Sequence, residues 1–217
     1  VLGGVATIGL GLALAARFNR PKPVRVDPAV VAIAPFRVTA ADSSLGYLRE
    51  GMVDLLATKL SGTMTLRPAD PRTILNAWRH ASARGDLPES TALSLVARLG
   101  AGRLIAGEIV GSGSRFTISA ALLQAPDGRV QARAAVEGSP DGLTPLVDQL
   151  AAKLLALGAG EPEQRLTNLT STPLPALRAY LDGQVLLRRT AFEAALRKFE
   201  QALAADSTFA LAALGIV

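Results

Sequence analysis

His80, in the stretch NAWRHASARGD, is the one histidine of this chain, and there are no cysteines. Zinc and the softer transition metals are held by imidazole and thiolate. A lone imidazole leaves the ligating to carboxylates, and no tight carboxylate cluster appears. Asp42, Glu50, Asp54 and Glu108 lack the spacing of an acid/base pair. Gly111-Ser112-Gly113 has neither the lysine nor the following helix of a phosphate loop; it sits between two strand-like runs and reads as a hairpin turn. No serine stands in a nucleophile elbow. Trp78 and Tyr47 read as core or interface residues and His80 as an exposed helix residue. The residue types therefore predict no catalytic, metal or cofactor site, and a function carried by binding.

Charge narrows the binding partner. The formal charge is +5 from 23 basic and 18 acidic residues. Arg17, Arg20, Lys22 and Arg25 place four of those bases within nine residues, with no acid among them, so the rest of the chain is close to neutral. Such a collar suits anionic lipid headgroups, at about 1 kcal/mol per charge near the surface. Aromatics make up only 4% of the chain, which leaves few rings to stack on bases and speaks against nucleic acid.

Ahead of the collar, Val1 to Ala16 (VLGGVATIGLGLALAA) carries no charge. At about 1.5 Å per residue the run falls slightly short of a hydrocarbon core of roughly 30 Å. Because the chain opens on Val, the run is expected to continue upstream. It reads as a membrane-spanning helix over residues 1–17; the competing reading is a signal peptide cleaved at Ala13-Leu14-Ala15. Gly3, Thr7, Gly11 and Ala15 recur every four residues and would let another transmembrane helix approach closely, so an integral membrane protein is an expected partner. The positive-inside rule taken alone would put the bulk of the chain in the cytoplasm.

The elements that must position any surface follow from periodicity. Val30 to Phe36 is β-branched and closed by proline, a buried strand. Leu45, Leu48, Met52, Leu55, Leu56 and Leu60 fall at helical spacing. Thr63 to Arg67 reads as a second strand, Pro71 to Ala83 as a helix with proline in its first turn, and Glu89 to Leu99 as a helix closed by Gly100. Leu104 to Val110, Phe116 to Gln124 and Val130 to Glu137 form an antiparallel meander with turns at 111–114 and 126–128. Leu143 to Leu157 is a final amphipathic helix. The order β-α-β-α-α-β-β-β-α predicts a mixed α/β fold with helices packed on a sheet. Residues 159–175, rich in Gly, Pro, Thr and acids, read as a linker. Ala176 to Arg189 and Phe192 to Ala205 read as a helical hairpin.

The hairpin resembles a tetratricopeptide repeat at Gly183, Ala195, Phe199 and Ala202, where that family needs small residues for helix crossing and an aromatic plug. Ser207 stands where the family usually has proline. FALAALGIV then resembles the opening helix of a second, truncated repeat. The preceding domain, residues 28–158, resembles a TolB amino-terminal-like domain. It does so through VVAIAPF, through Leu45, Gly46, Tyr47, Leu48 and Gly51 of SLGYLREGMVDLLATKLS, and through Leu99, Gly100 and Gly107 at the entry to the meander. The composite resembles a bacterial architecture of transmembrane helix (1–17), basic juxtamembrane segment (18–27), TolB amino-terminal-like α/β domain and repeat hairpin (176–217). It implies a single-pass protein of the inner membrane with its bulk in the periplasm. It also implies protein partners on the α/β domain and on the repeat face, which alone buries too little apolar surface. Two functions fit. One is a non-enzymatic scaffold or accessory subunit of a larger membrane complex, of respiratory, photosynthetic or secretion type. The other is the extracytoplasmic half of a signalling protein with a kinase or DNA-binding domain upstream.

Overall fold

The β-branched run that opens the fold is cut by Pro35, which has no N–H to give a ladder. In the computed structural model, which describes residues 25–40, 45–82, 85–112 and 115–216, β1 (Asp27–Ile33) therefore stops short of Pro35. The chain resumes as β2 (Arg37–Ala40), a strand the sequence did not announce. The Phe36 N–H is diverted to the Arg49 carbonyl at 2.9 Å. Both strands run parallel to the long β4 (Ala101–Ser112), with Ile33 beside Ile105 and Arg37 beside Glu108. β5 (Arg115–Gln124) and β6 (Val130–Gly138) complete the expected meander, antiparallel in turn.

On the other side of β1 lies β3, only Arg67–Pro68. The expected strand from Thr63 does not form. The Thr63 hydroxyl accepts the Leu66 N–H at 3.1 Å and donates to the Leu66 carbonyl at 2.6 Å, a local turn that competes with pairing.

Helices cover the two faces unequally. One face of the sheet (Ile33, Ile105, Ile109, Ile118, Leu122, Val136) packs on α1 (Leu48–Leu60) and α4 (Leu143–Gly158). The other packs on α2 (Pro71–Ala81) and α3 (Glu89–Arg98), where Ile74, Trp78, Leu93 and Val96 meet Ala32, Leu104 and Leu123. Asp70 caps α2 by accepting the Thr73 N–H at 2.8 Å. Gly100, at φ 84, ends α3 as expected and turns it into β4. Gly107 has a packing role: a Cβ there would overlap the Phe36 ring.

Residues 159–175 are built into the fold. They carry a 3-10 turn at Glu163–Arg165 and α5 (Leu166–Ser171), whose Leu169 is fully buried. α6 (Leu174–Arg188) and α7 (Phe192–Ala205) form the expected hairpin, and α8 (Ala210–Leu214) folds back on it. Gly183, Ala195, Phe199 and Ala202 meet at its buried seam, and Tyr180 lies 6.0 Å from Phe199 and 5.1 Å from Phe209, centroid to centroid. α6 also packs on α4, and its Ala176, Leu177, Tyr180 and Leu181 join the core beneath the sheet. The hairpin is therefore not the start of the tetratricopeptide array that its small-residue pattern leads one to expect. One hairpin uses a face against the α/β layers, and no stack of repeats exists among the described residues.

The expected membrane helix over 1–17, with Gly3, Thr7, Gly11 and Ala15, lies outside the described residues, as do Arg17, Arg20 and Lys22 of the basic collar. Arg25 is described and is exposed. Among the described residues no helix is long and apolar enough to cross a membrane. Of these helices α4 is the longest, at 16 residues, and it is amphipathic, with Thr144 and Gln149 exposed.

Candidate docking surface

α2 and α3 cover only part of their face of the sheet. Register shows what lies bare. One row of side chains crosses the strands as Arg37, Glu108, Ser119 and Ala135. A second, nearer α3, is Ala106, Ala121 and Arg133, and a third, farther out, is Val110, Thr117 and Glu137. The strands alternate, so each of these residues neighbours one that is buried on the opposite face. Small or polar residues stand at Thr117, Ser119 and Ala121 of FTISAALLQ, before Leu123 passes under α3, and at every second position from Gln131 in VQARAAVE, and no helix is laid over them.

The result is a groove of about 580 Å³ with an alanine and serine floor. Its walls are the α2–α3 connection, through Asp86 and Leu87, the start of α3, through Glu89, and β2, through Arg37. The connection is fixed from both sides. Arg49 donates to Asp86 at 2.7 Å, and the Trp78 indole N–H donates to the Gly85 carbonyl at 2.9 Å. Charge on the rim is mixed: Arg37 meets Glu108 at 3.6 Å, Arg115 meets Glu137 at 3.1 Å, and Arg133 has no ion-pair partner among the described residues. Val110, 48% exposed, extends the apolar area past the groove.

A second cleft, of about 660 Å³, opens between α1, α4 and the start of α6. Its charged side chains are engaged within the fold. Lys59 meets Asp148 at 2.7 Å, and Arg178 donates to the Lys59 carbonyl. Burial pulls the Arg178 guanidinium below its usual range, opposed by Asp148. These contacts fasten α6 to the α/β layers.

The residues singled out for chemistry do not converge. His80 is exposed on α2, Glu50 pairs with Arg79 at 2.8 Å, Glu108 pairs with Arg37, and Asp54 is exposed on α1. Asp42 lies outside the described residues. Among those described, no group of three or more His, Asp and Glu side chains could hold a metal ion. The surface that does assemble, Ala106, Ser119, Ala121, Arg133 and Ala135, was missed in the sequence because small residues on a strand carry no chemical signal of their own.

No family model matches the chain, and no curated protein matches it. Solved structures are similar at low identity. Lipoprotein GNA1162 from Neisseria meningitidis is 13% identical, over 52% of this chain and 81% of that one, with a TM-score of 0.43. TolB from Acinetobacter baumannii is 13% identical, over 65% of this chain and 31% of that one, with a TM-score of 0.43. The LpoB C-terminal domain from Salmonella enterica is 13% identical, over 58% of this chain and 93% of that one, with a TM-score of 0.42. Among the described residues the chain is a mixed α/β domain with a docked helical hairpin, and neither the membrane-spanning helix nor the repeat array of the expected composite is found there.

Proposed function

We propose that the chain is a non-enzymatic protein-interaction module of a bacterial envelope, and that the bare part of its sheet is the surface it presents. The observation that carries this reading is the unequal cover: one face is closed by α1 and α4, while the other is left open over β4, β5 and β6. A floor of Ala106, Ser119, Ala121 and Ala135 keeps side chains short, so a partner element approaches close to the strands and gains dispersion contact. The rim ion pair and Arg133 fix orientation more than they add affinity. The envelope part of the proposal is supported by the uncharged run at 1–16 followed by Arg17, Arg20, Lys22 and Arg25, a pattern suited to a membrane address.

The test is a photo-crosslinking amino acid at Ser119 and, separately, at Val110, with exposed Glu200 on α7 as control, in intact cells that are then fractionated. Crosslinks from 119 and 110 to one defined protein in the envelope fraction, absent at 200, are the expected result. Equal labelling at all three positions, or none at 119 and 110, overturns the docking role; recovery in the cytosol overturns the envelope setting.

A further inference from the structure

β6 is the last strand of the sheet. Its outer edge carries a specific pattern of backbone and side-chain groups. The Ala135 carbonyl accepts the Lys153 ammonium, from α4, at 2.8 Å, so it faces away from β5. Backbone groups of an antiparallel strand alternate in pairs, inward then outward. Arg133, Ala135 and Glu137 therefore turn both N–H and C=O to the open edge, while Ala132, Ala134 and Val136 are bonded to β5. The side chains of Arg133, Ala135 and Glu137 are all exposed, on the same face as the groove floor.

We propose that a second copy of this chain pairs antiparallel along this edge, with Ala135 opposite Ala135 of the second copy. Charge selects that register. It alone sets Arg133 opposite Glu137 of the second copy, and by symmetry Glu137 opposite Arg133. Sliding by two residues in one direction leaves Arg133 opposite an alanine, and sliding by four sets it opposite itself. Sliding the other way does the same to Glu137. Slides by odd numbers set outward groups against inward ones and lose the hydrogen bonds. The chosen register forms up to about six backbone hydrogen bonds, with two small alanines at the axis and an opposite-charge pair on each flank.

Lys153 is the guard on this edge. A lysine over an exposed strand is a device against indiscriminate pairing, and it must swing aside for the second copy's Ala135 N–H to reach the Ala135 carbonyl. The association is thus selective and weak. Opposed residues of an antiparallel pair point to one side, so the open faces of the two copies adjoin and form one wider floor. The inference does not depend on what fills that floor.

The experiment is sedimentation velocity of the full chain in mild detergent across a concentration series, with hydrogen exchange on the same samples. Self-association is expected, with amide protection at Arg133, Ala135 and Glu137 rising with concentration. Arg133→Glu and Glu137→Arg should each weaken it about tenfold or more through like-charge opposition. The double swap should restore most of it, short of wild type because it also removes the Arg115–Glu137 ion pair of 3.1 Å within each copy, and Lys153→Ala should tighten it. A monomer throughout, including Lys153→Ala, overturns the proposal. So does association that leaves the three amides unprotected, or that ignores the single charge reversals.

Discussion

The Asp182 carboxylate, on α6, accepts the backbone N–H of Met64 at 2.8 Å, and the two residues stand 118 positions apart. Asp182 is 3% exposed, and its second oxygen lies 3.6 Å from the Lys198 ammonium on α7. One carboxylate thus ties the turn after α1 to both arms of the hairpin, alongside the Arg178 bond to the Lys59 carbonyl. A helical pair that sequence alone marks off as its own module is held by polar contacts to the α/β layers as well as by the shared apolar core.

Asp182 gives the first prediction. Burial pushes its carboxyl above the usual range, and the Met64 N–H and Lys198 only partly oppose this. A raised carboxyl binds its proton more tightly in the folded state, so its contribution is fully present below the unfolded value of 3.8 and is lost as pH rises through the folded value. Asp182→Asn keeps an acceptor for Met64 and should flatten that fall. Asp182→Ala leaves the N–H without its partner and should cost on the order of 1–3 kcal/mol. Thermal melts of wild type and both variants from acid to neutral pH read the effect, and parallel profiles for wild type and Asn would sink it.

Asp70 should show the opposite slope. Its bonds from the Thr73 hydroxyl and N–H hold the carboxyl below the usual range. That contribution is present above 3.8 and is lost as pH falls through the folded value. Asp70→Asn can still cap α2 and should lose only the pH dependence, while Asp70→Ala should lower stability at neutral pH as well. If Ala melts like wild type at neutral pH, the cap contributes nothing.

Gly183 is in the middle of a helix, where alanine is ordinarily better by about 1 kcal/mol. Here a Cβ would stand 2.6 Å from the Phe199 ring. Gly183→Ala should therefore destabilise, by about 1–3 kcal/mol for an overpacked seam. In a Phe199→Leu background the same change should cost clearly less, since the two sites share one space. A double-mutant cycle with no coupling would show that the seam relaxes elsewhere.

Most of the architecture could be read from periodicity and turn chemistry. α1 to α4 and the meander lie close to their expected bounds because each combines a long periodic run with a clear stop: Pro71 at the start of α2, Gly100 after α3, the turn at 126–128. What failed was short or nonlocal. β2 has four residues and no apolar alternation, and it exists because β4 is long enough to pair beyond the break at Pro35. Thr63 to Leu66 has strand composition but spends a hydroxyl on its own backbone. Leu169 lies in a polar, proline-flanked stretch, so nothing local announces that its helix packs on α4 and buries it. The groove was least legible, because it is defined by what no helix covers.

Neighbouring alanines on β5 separate the two faces most sharply. Ala121 lies on the groove floor, partly exposed and opposite Arg133, whereas Ala120 is 5% exposed in the core under α4. Ala121→Glu should keep stability within about 0.5 kcal/mol, as for other surface changes. Its side chain can reach Arg133 and would lie across the floor, so crosslinking from position 119 should disappear. Ala120→Glu places a carboxylate among Ile118, Leu122 and Leu150 without a cation to meet it, and should destabilise by several kcal/mol or prevent folding. Circular dichroism melts of the two variants, beside the crosslinking yield of Ala121→Glu, test the assignment. If Ala121→Glu unfolds like Ala120→Glu, that face is not open; if it folds and still crosslinks at wild-type yield, the floor is not where a partner sits.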